Sequence, residues 1–166
     1  MKKTFALVCA IVIALYATIV PAQEDKYEGP NSMLNLAAKD YLDVPPFEEP
    51  LIIQHDLSRL SSTMAYAQLY DMLCNAENYV GSAVKLKGPY MPYQSEAGEL
   101  MHFVLVYDMQ GCCELALEML PTRGANIEYP EMNTEIEAEG LFDICNDDGV
   151  RFVALRINRI NIVGQD

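Results

Sequence analysis

Three cysteines and one histidine carry the most reactive side chains in the second half of the chain. Cys112 and Cys113 are adjacent, Cys145 precedes an Asn-Asp-Asp-Gly turn, and His102 opens an apolar run. Thiolate and imidazole bind zinc or copper(I), and thiols form disulfides in oxidising compartments. Three alternatives follow: a disulfide from Cys145 to Cys112 or Cys113, free buried thiols, or a soft-metal site that adds His102.

The adjacent cysteines fall where a β-hairpin turn ends and a strand is expected to begin. Apolar, strand-favouring runs flank residues 108–111, which include Gly111, and a short Gly-containing loop between such runs indicates a hairpin. Because alternate strand residues point to opposite faces, Cys113 is predicted to face inward and Cys112 outward. Divergent thiols without Cys-x-x-Cys spacing argue against a cofactor. We therefore predict none, with zinc or copper as the alternative.

The N-terminal residues have the pattern of an export signal. Lys2 and Lys3 precede an uncharged run, Thr4–Val20, and Val20 and Ala22 stand at the small-residue positions of a cleavage site. We predict a signal peptide over residues 1–22, a mature chain that begins at Gln23, and a periplasmic or secreted location. A retained anchor is the alternative, but a span needs about 20 apolar residues and this run is shorter. No stable membrane insertion is expected after cleavage.

The chain is strongly acidic. It has 11 Lys and Arg against 24 Asp and Glu, a net charge of −13, and loss of Lys2 and Lys3 with the signal makes it −15. Because such a surface repels phosphate backbones, the sequence predicts no nucleic acid partner.

A leader and one domain follow the signal. Residues 23–55 are rich in proline and acids, which is typical of a tether, and residues 56–166 are predicted to form the domain. Ser61–Asn78 has capping oxygens and then apolar residues at helical spacing. Alternation predicts the strands, which we place at 82–88, 102–107, 112–120, 134–144 and 150–163, with bulges near Gly140 and in the last strand.

Helix and strands together predict a mainly β domain. Five strands joined by hairpins and breaker-rich connections fit an OB-like Greek-key barrel with one preceding α-helix, and a β-sandwich is the alternative fold. In the barrel the first strand pairs with the fourth, which places Lys85 and Lys87 opposite Glu135, Glu137 and Glu139. The same closure places Glu114 and Glu118 opposite Arg156 and Arg159, and brings Cys145 near the adjacent cysteines.

Two short motifs carry a family resemblance over about Ala76–Ile162. Asn78–Gly88 resembles the entry strand of bacterial extracytoplasmic OB-like domains, and the hairpin that ends in Cys112-Cys113 is similar to the corresponding strand in the C-terminal domain of YcgQ-type permease subunits. The chain differs from that family in lacking its membrane helices and in having Glu114-Leu115-Ala116 after the cysteines. The resemblance implies a fold and an extracytoplasmic location rather than an activity.

The function indicated is binding rather than catalysis. The sequence has no nucleophile-elbow serine and no Gly-rich phosphate loop, so we predict that the protein is not an enzyme. OB barrels commonly bind through their loops, and we predict that exposed Tyr90, Tyr93 and Tyr129 bind a protein, peptide or small polar ligand. The alternative is a thiol redox or metal-handling protein that uses Cys112, Cys113 and Cys145.

Overall fold

The computed structural model describes residues 42–96, 98–147 and 149–164. The predicted signal peptide and most of the leader lie outside these residues. The described elements are a short strand β1 (His55–Asp56), a helix α1 (Ser62–Cys74), and five long strands: β2 (Ala83–Gln94), β3 (Leu100–Tyr107), β4 (Glu114–Pro121), β5 (Glu135–Asp147) and β6 (Val150–Ile162).

The five long strands close into a barrel. The order is β1-β2-β3-β4-β6-β5, and β2 also pairs with β5. All neighbours are antiparallel except β4 with β6 and the short β1 with β2, which are parallel. This is the predicted OB-like arrangement, so the barrel prediction is confirmed and the β-sandwich alternative is wrong.

Opposite charges line the exterior where β2 and β5 pair. Lys85 Nζ lies 3.0 Å from Glu137 Oε2 and 2.9 Å from Glu139 Oε1. Lys87 Nζ lies 3.4 Å from Glu135 Oε1. The predicted register of these two strands is therefore correct. On the other side of the barrel Arg159 contacts Glu49 rather than the predicted β4 glutamates.

Strand β2 is longer than predicted. Residues 89–94 were expected to form a loop because they include Pro89 and Pro92, yet β2 continues to Gln94 and pairs with β3. The amide of Tyr90 donates to Thr134 on the β5 side. Since strand amides alternate in direction, the nitrogen of Pro92 points to the same side, beyond the start of β5. Proline therefore costs no ladder hydrogen bond there.

Two glycines allow strands to approach closely. A Cβ at Gly88 would overlap the carbonyl oxygen of Leu105, and a Cβ at Gly140 would overlap that of Arg156. Gly140 also lies at the register shift between β5 and β6, where Ala138 pairs with Ile160 but Gly140 pairs with Ile157. The predicted bulge is confirmed, and the extra residue is on β6.

Helix α1 packs against the barrel core through its apolar face. Ser61 is the N-cap, and its Oγ accepts a hydrogen bond from the Met64 amide at 3.4 Å. Leu69 and Met72 are fully buried with strand residues in one cluster. The helix ends before Asn75, four residues earlier than predicted, and one 3-10 turn, Ala76–Asn78, continues the chain. Within the described residues no helix has the length and apolar character to cross a bilayer.

Residues 44–49 of the leader contact β6 and the segment that follows β4. Asn158 Nδ2 donates to the Phe47 carbonyl at 2.9 Å, and the Arg123 amide donates to the Val44 carbonyl at 2.7 Å. Val44 is buried. This segment is therefore bound to the barrel through backbone groups.

Candidate functional site

The adjacent cysteines occupy the turn between β3 and β4 rather than the strand itself. Strand β4 begins at Glu114, and both cysteines are exposed. Their sulfur atoms lie 3.7 Å apart. The prediction that Cys113 faces the core while Cys112 faces outward is therefore wrong, because the strand alternation does not extend into the turn.

Asp108 organises this turn with its side chain and backbone. Its Oδ1 accepts from the amides of Cys112 at 3.0 Å and Cys113 at 3.4 Å. Its carbonyl accepts from the Gly111 amide at 3.2 Å, and Gly111 has a φ of 66°, a left-handed conformation that glycine adopts without strain. These bonds hold the amides of both cysteines toward one carboxylate.

Thiol and carboxylate also interact directly. The Cys112 thiol donates to Asp108 Oδ2 at 3.3 Å. The hydrogen bond to Asp108 and the contact with Cys113 raise the pKa of Cys112 to about 11. Desolvation raises the pKa of Asp108, but the hydrogen bonds from the Cys112 thiol and the turn amides outweigh it, so that pKa is lowered. The Asp108 oxygen and the two sulfur atoms lie within 4.8 Å of one another.

Cys145 does not join this group. It is buried beside Arg156, whose Nη2 lies 3.0 Å from Cys145 Sγ. Arg156 Nε donates to Asp143 Oδ2 at 2.9 Å. Burial raises the pKa of the Cys145 thiol to about 12. All four described cysteines are free, so the expected contact of Cys145 with Cys112 or Cys113 is not formed.

The buried ion pair of Arg156 and Asp143 was not predicted from the sequence. Arg156 is only 1% exposed and Asp143 only 3%, although both point outward from the barrel wall. The alternation of inward and outward strand residues correctly places both side chains on the exterior of the barrel. It does not show whether other parts of the protein bury an exterior side chain. Arg and Asp are seldom fully buried unless they are paired. The antiparallel pairing of β5 with β6 brings Asp143 close to Arg156, and this proximity was the available signal for a buried ion pair.

His102 and two of the predicted tyrosines form one aromatic stack near the end of the barrel away from α1. The rings of His102 and Tyr129 are parallel with centroids 3.6 Å apart. Tyr90 Oη lies 2.7 Å from His102 Nδ1, and Tyr90 is 3% exposed. Burial lowers the pKa of His102 and raises that of Tyr129. Tyr90 and Tyr129 thus pack with the core, whereas Tyr93 is 56% exposed.

A third feature is the exterior of β3. Its inward residues Val104 and Val106 belong to the core, so the alternate residues point outward. These outward residues are apolar or aromatic, and we call them the apolar outer face: Met101, Phe103, Leu105 and Tyr107. Met101, Phe103 and Tyr107 are half-buried, and Leu105 is only 3% exposed. Sequence reasoning treated β3 as one apolar run and did not separate its two sides.

Charged groups border the apolar outer face on β4. Glu118 pairs with Phe103 and Glu114 with Tyr107, while the small Ala116 pairs with Leu105. Glu118 is buried, and desolvation raises its pKa, although Arg156 acts in the opposite direction. The exterior of β2 and β5 carries the ion pairs of Lys85 and Lys87 instead.

Several solved structures are similar to about half of this chain. No protein-family model matches this chain, and no curated protein matches it either. The N-terminal domain of PriB protein from Thermoanaerobacter tencongensis is similar over 50% of this chain and 97% of its own, at 15% identity and a TM-score of 0.34. The second OB-fold domain of replication protein A from Methanococcus maripaludis is similar over 53% of this chain and 88% of its own, at 9% identity and a TM-score of 0.27. The barrel is an OB-like fold.

A further similar structure is asparaginyl-tRNA synthetase from Pyrococcus horikoshii complexed with asparaginyl-adenylate. It matches 52% of this chain and 20% of its own, at 11% identity and a TM-score of 0.35. The prediction that nucleic acid is not a partner is contradicted by these neighbours, since they include the N-terminal domain of PriB protein and an OB-fold domain of replication protein A. Net charge describes a whole chain rather than one surface, and it was too coarse a ground for that exclusion.

Proposed function

We propose that the protein is an exported, non-catalytic OB-like binding module that takes an extended peptide segment of a partner protein along the apolar outer face. The observation that supports this proposal is the outward row on β3, in which the half-buried Met101, Phe103 and Tyr107 are accessible on either side of the buried Leu105. In OB barrels the second and third strands form the ligand-binding face, and β3 and β4 hold those places here. Contiguous apolar surface rimmed by polar groups is typical of interaction sites.

The charges around this face favour a peptide with basic residues. Glu114 and Glu118 pair with Tyr107 and Phe103 across the sheet, and Asp108 follows at the end of β3. A Lys or Arg side chain of the ligand gains from these carboxylates, of which Glu114 is exposed. Aromatic rings stack on nucleobases as well as on apolar side chains. Binding of an oligonucleotide therefore has to be measured beside binding of a peptide to distinguish the two kinds of ligand.

An exported location is part of the proposal. The basic start and apolar run of residues 2–20 support it, as does the resemblance to extracytoplasmic OB-like domains and to the C-terminal domain of YcgQ-type subunits. N-terminal sequencing of protein secreted by a bacterial host should begin at Gln23. A chain that keeps Met1 and sediments with membranes would contradict export by cleavage.

Peptide binding can be tested by substituting the apolar outer face. The full mature chain is applied to an array of mixed-sequence peptides and, in parallel, to a single-stranded oligonucleotide. We expect Phe103→Ala combined with Tyr107→Ala to weaken peptide binding by tenfold or more, since buried aromatic anchors dominate interfaces. Tyr70→Ala is the matched control, because Tyr70 is an exposed aromatic residue on α1.

Two results would overturn the proposal. One is peptide binding that the double substitution leaves unchanged. The other is tighter binding to the oligonucleotide than to any peptide, lost in the same double variant, which would assign the face to nucleic acid.

A further inference from the structure

The turn between β3 and β4 brings two thiols and one carboxylate together at the protein surface. We propose that Asp108, Cys112 and Cys113, which we call the dithiol turn, form a zinc site with three protein ligands and an open fourth position. This inference does not rest on the proposed peptide binding, because its three ligands lie in the turn; Asp108 is the residue that the two proposals share.

The spacing of the ligand atoms fits tetrahedral zinc. Zn–S bonds of about 2.3 Å at the tetrahedral angle separate two sulfur ligands by roughly 3.8 Å. The Cys112 and Cys113 sulfur atoms are 3.7 Å apart. A carboxylate ligand at about 2.1 Å lies roughly 3.6 Å from a sulfur ligand, and Asp108 Oδ2 is 3.3 Å from Cys112 Sγ. The Asp108 oxygen and the Cys113 sulfur lie within 4.8 Å of each other, and a shift of the carboxylate toward Cys113 completes three vertices.

The backbone arrangement supports this geometry. Asp108 Oδ1 accepts from both cysteine amides, which leaves Oδ2 facing the Cys112 sulfur. The same carboxylate thus fixes the turn with one oxygen and offers the other as a ligand. Outer-shell hydrogen bonds of this kind orient metal ligands in known sites.

A disulfide between the two cysteines fits less well. Adjacent Cα atoms lie about 3.8 Å apart across a trans peptide, whereas disulfides usually join Cα atoms about 4.4–6.8 Å apart. Cys145 is buried beside Arg156 and supplies no alternative partner. Two thiols and a carboxylate suit zinc, since thiolate binds soft and borderline metals and an oxygen ligand disfavours copper(I).

Metal binding needs no oxidant at this site. Each thiol releases one proton to solvent and becomes a thiolate, while the Asp108 carboxylate binds as it is. In the metal-free protein the Cys112 proton lies between Sγ and Asp108 Oδ2. Zinc replaces that proton, and water or a ligand donor occupies the fourth position.

Titration of the reduced full chain tests the site with two probes. Zn²⁺ is measured by calorimetry, and Co²⁺ by the visible bands that tetrahedral thiolate coordination produces. We expect one ion per chain, and at least a hundredfold weaker binding for Cys112→Ser and for Cys113→Ser. Asp108→Asn should weaken binding about tenfold and preserve the turn, because the amide oxygen still accepts the backbone hydrogen bonds.

Cys74→Ser is the matched control, since Cys74 is an exposed free thiol on α1 outside the dithiol turn. It should bind zinc as the unsubstituted protein does, and circular dichroism should show that all variants keep the fold. Three results would overturn the inference: no zinc binding by the folded, reduced protein, equal binding by the Cys112→Ser and Cys113→Ser variants, or loss of binding in Cys74→Ser.

Discussion

Gly88 and Gly140 determine how closely the barrel strands approach one another. In each case the neighbouring strand's carbonyl oxygen occupies the space of a Cβ. The sequence suggested a bulge at Gly140 but gave no sign of a close approach at Gly88, because that requirement depends on Leu105 of another strand.

Gly88→Ala should destabilise the barrel strongly. The new Cβ overlaps backbone, which cannot rotate away as a side chain can, and we expect a loss of about 3 kcal/mol in the free energy of unfolding. Urea unfolding measures this loss. Gly124→Ala is the control, because Gly124 has a φ of 77° with open space around it; left-handed strain alone should cost it about 1–2 kcal/mol. Equal losses at the two positions would contradict the steric explanation.

Cys145 should make stability depend on pH in the alkaline range. Burial raises its pKa from 9 to about 12 in the folded protein. Above pH 9 the unfolded chain loses the thiol proton while the folded chain keeps it, so stability falls as pH rises between these values. Urea unfolding across this range should show a shallower pH dependence for Cys145→Ala.

Other groups also titrate at alkaline pH, so the difference between protein and variant is the relevant quantity. Cys74→Ala is the control for removal of a thiol that is exposed rather than buried. A Cys145→Ala variant whose stability follows the same pH dependence as the unsubstituted protein would contradict the burial of this thiol.

Strands β2 and β5 close the barrel, and their outward charges fix the register. Lys85 contacts two glutamates at 2.9–3.0 Å and is 22% exposed, whereas Lys87 contacts one at 3.4 Å and is 35% exposed. Alternation along each strand was visible in the sequence, and complementary charges then identified the partner. A period-2 pattern with charges on one face is what makes such a pairing predictable.

Lys85→Glu should therefore destabilise more than Lys87→Glu. Each cross-strand charge pair contributes about 0.2–1 kcal/mol, so reversal of Lys85 replaces two attractions with two repulsions and should cost about 2 kcal/mol. Chemical denaturation at low ionic strength measures both variants. Adding Glu137→Lys to Lys85→Glu should restore part of the loss, and equal costs for the two lysine variants would argue against this register.

The β3–β4 turn is an element whose sequence pattern led to a wrong prediction. The β3–β4 turn was read as the start of a strand, because Cys112 and Cys113 continue the apolar alternation of β4. The Asp108 carboxylate accepts hydrogen bonds from the amides of both cysteines, and the strand alternation therefore does not extend to them. An Asp four residues before the first cysteine, with Gly111 between them, was the available signal for this turn.

Across the whole molecule the fold was more predictable than the site. The barrel topology could be predicted from five strand patterns, two turns and one set of complementary charges. Few arrangements of five strands satisfy all of these features together. The predicted sites depended on side-chain positions that local patterns do not fix. Cys145 packs with Arg156, and Tyr90 and Tyr129 pack with the core, because tertiary contacts decided their surroundings.

The central functional claim is that the apolar outer face is where a ligand binds. Nuclear magnetic resonance titration of the labelled full chain, with the peptide that binds most tightly on the array, tests it most directly. We predict chemical-shift changes concentrated at Met101, Phe103, Tyr107 and their β4 neighbour Ala116, with Lys85 and Lys87 unchanged. Changes concentrated on the charged β2–β5 side, with the β3 resonances unmoved, would contradict the claim.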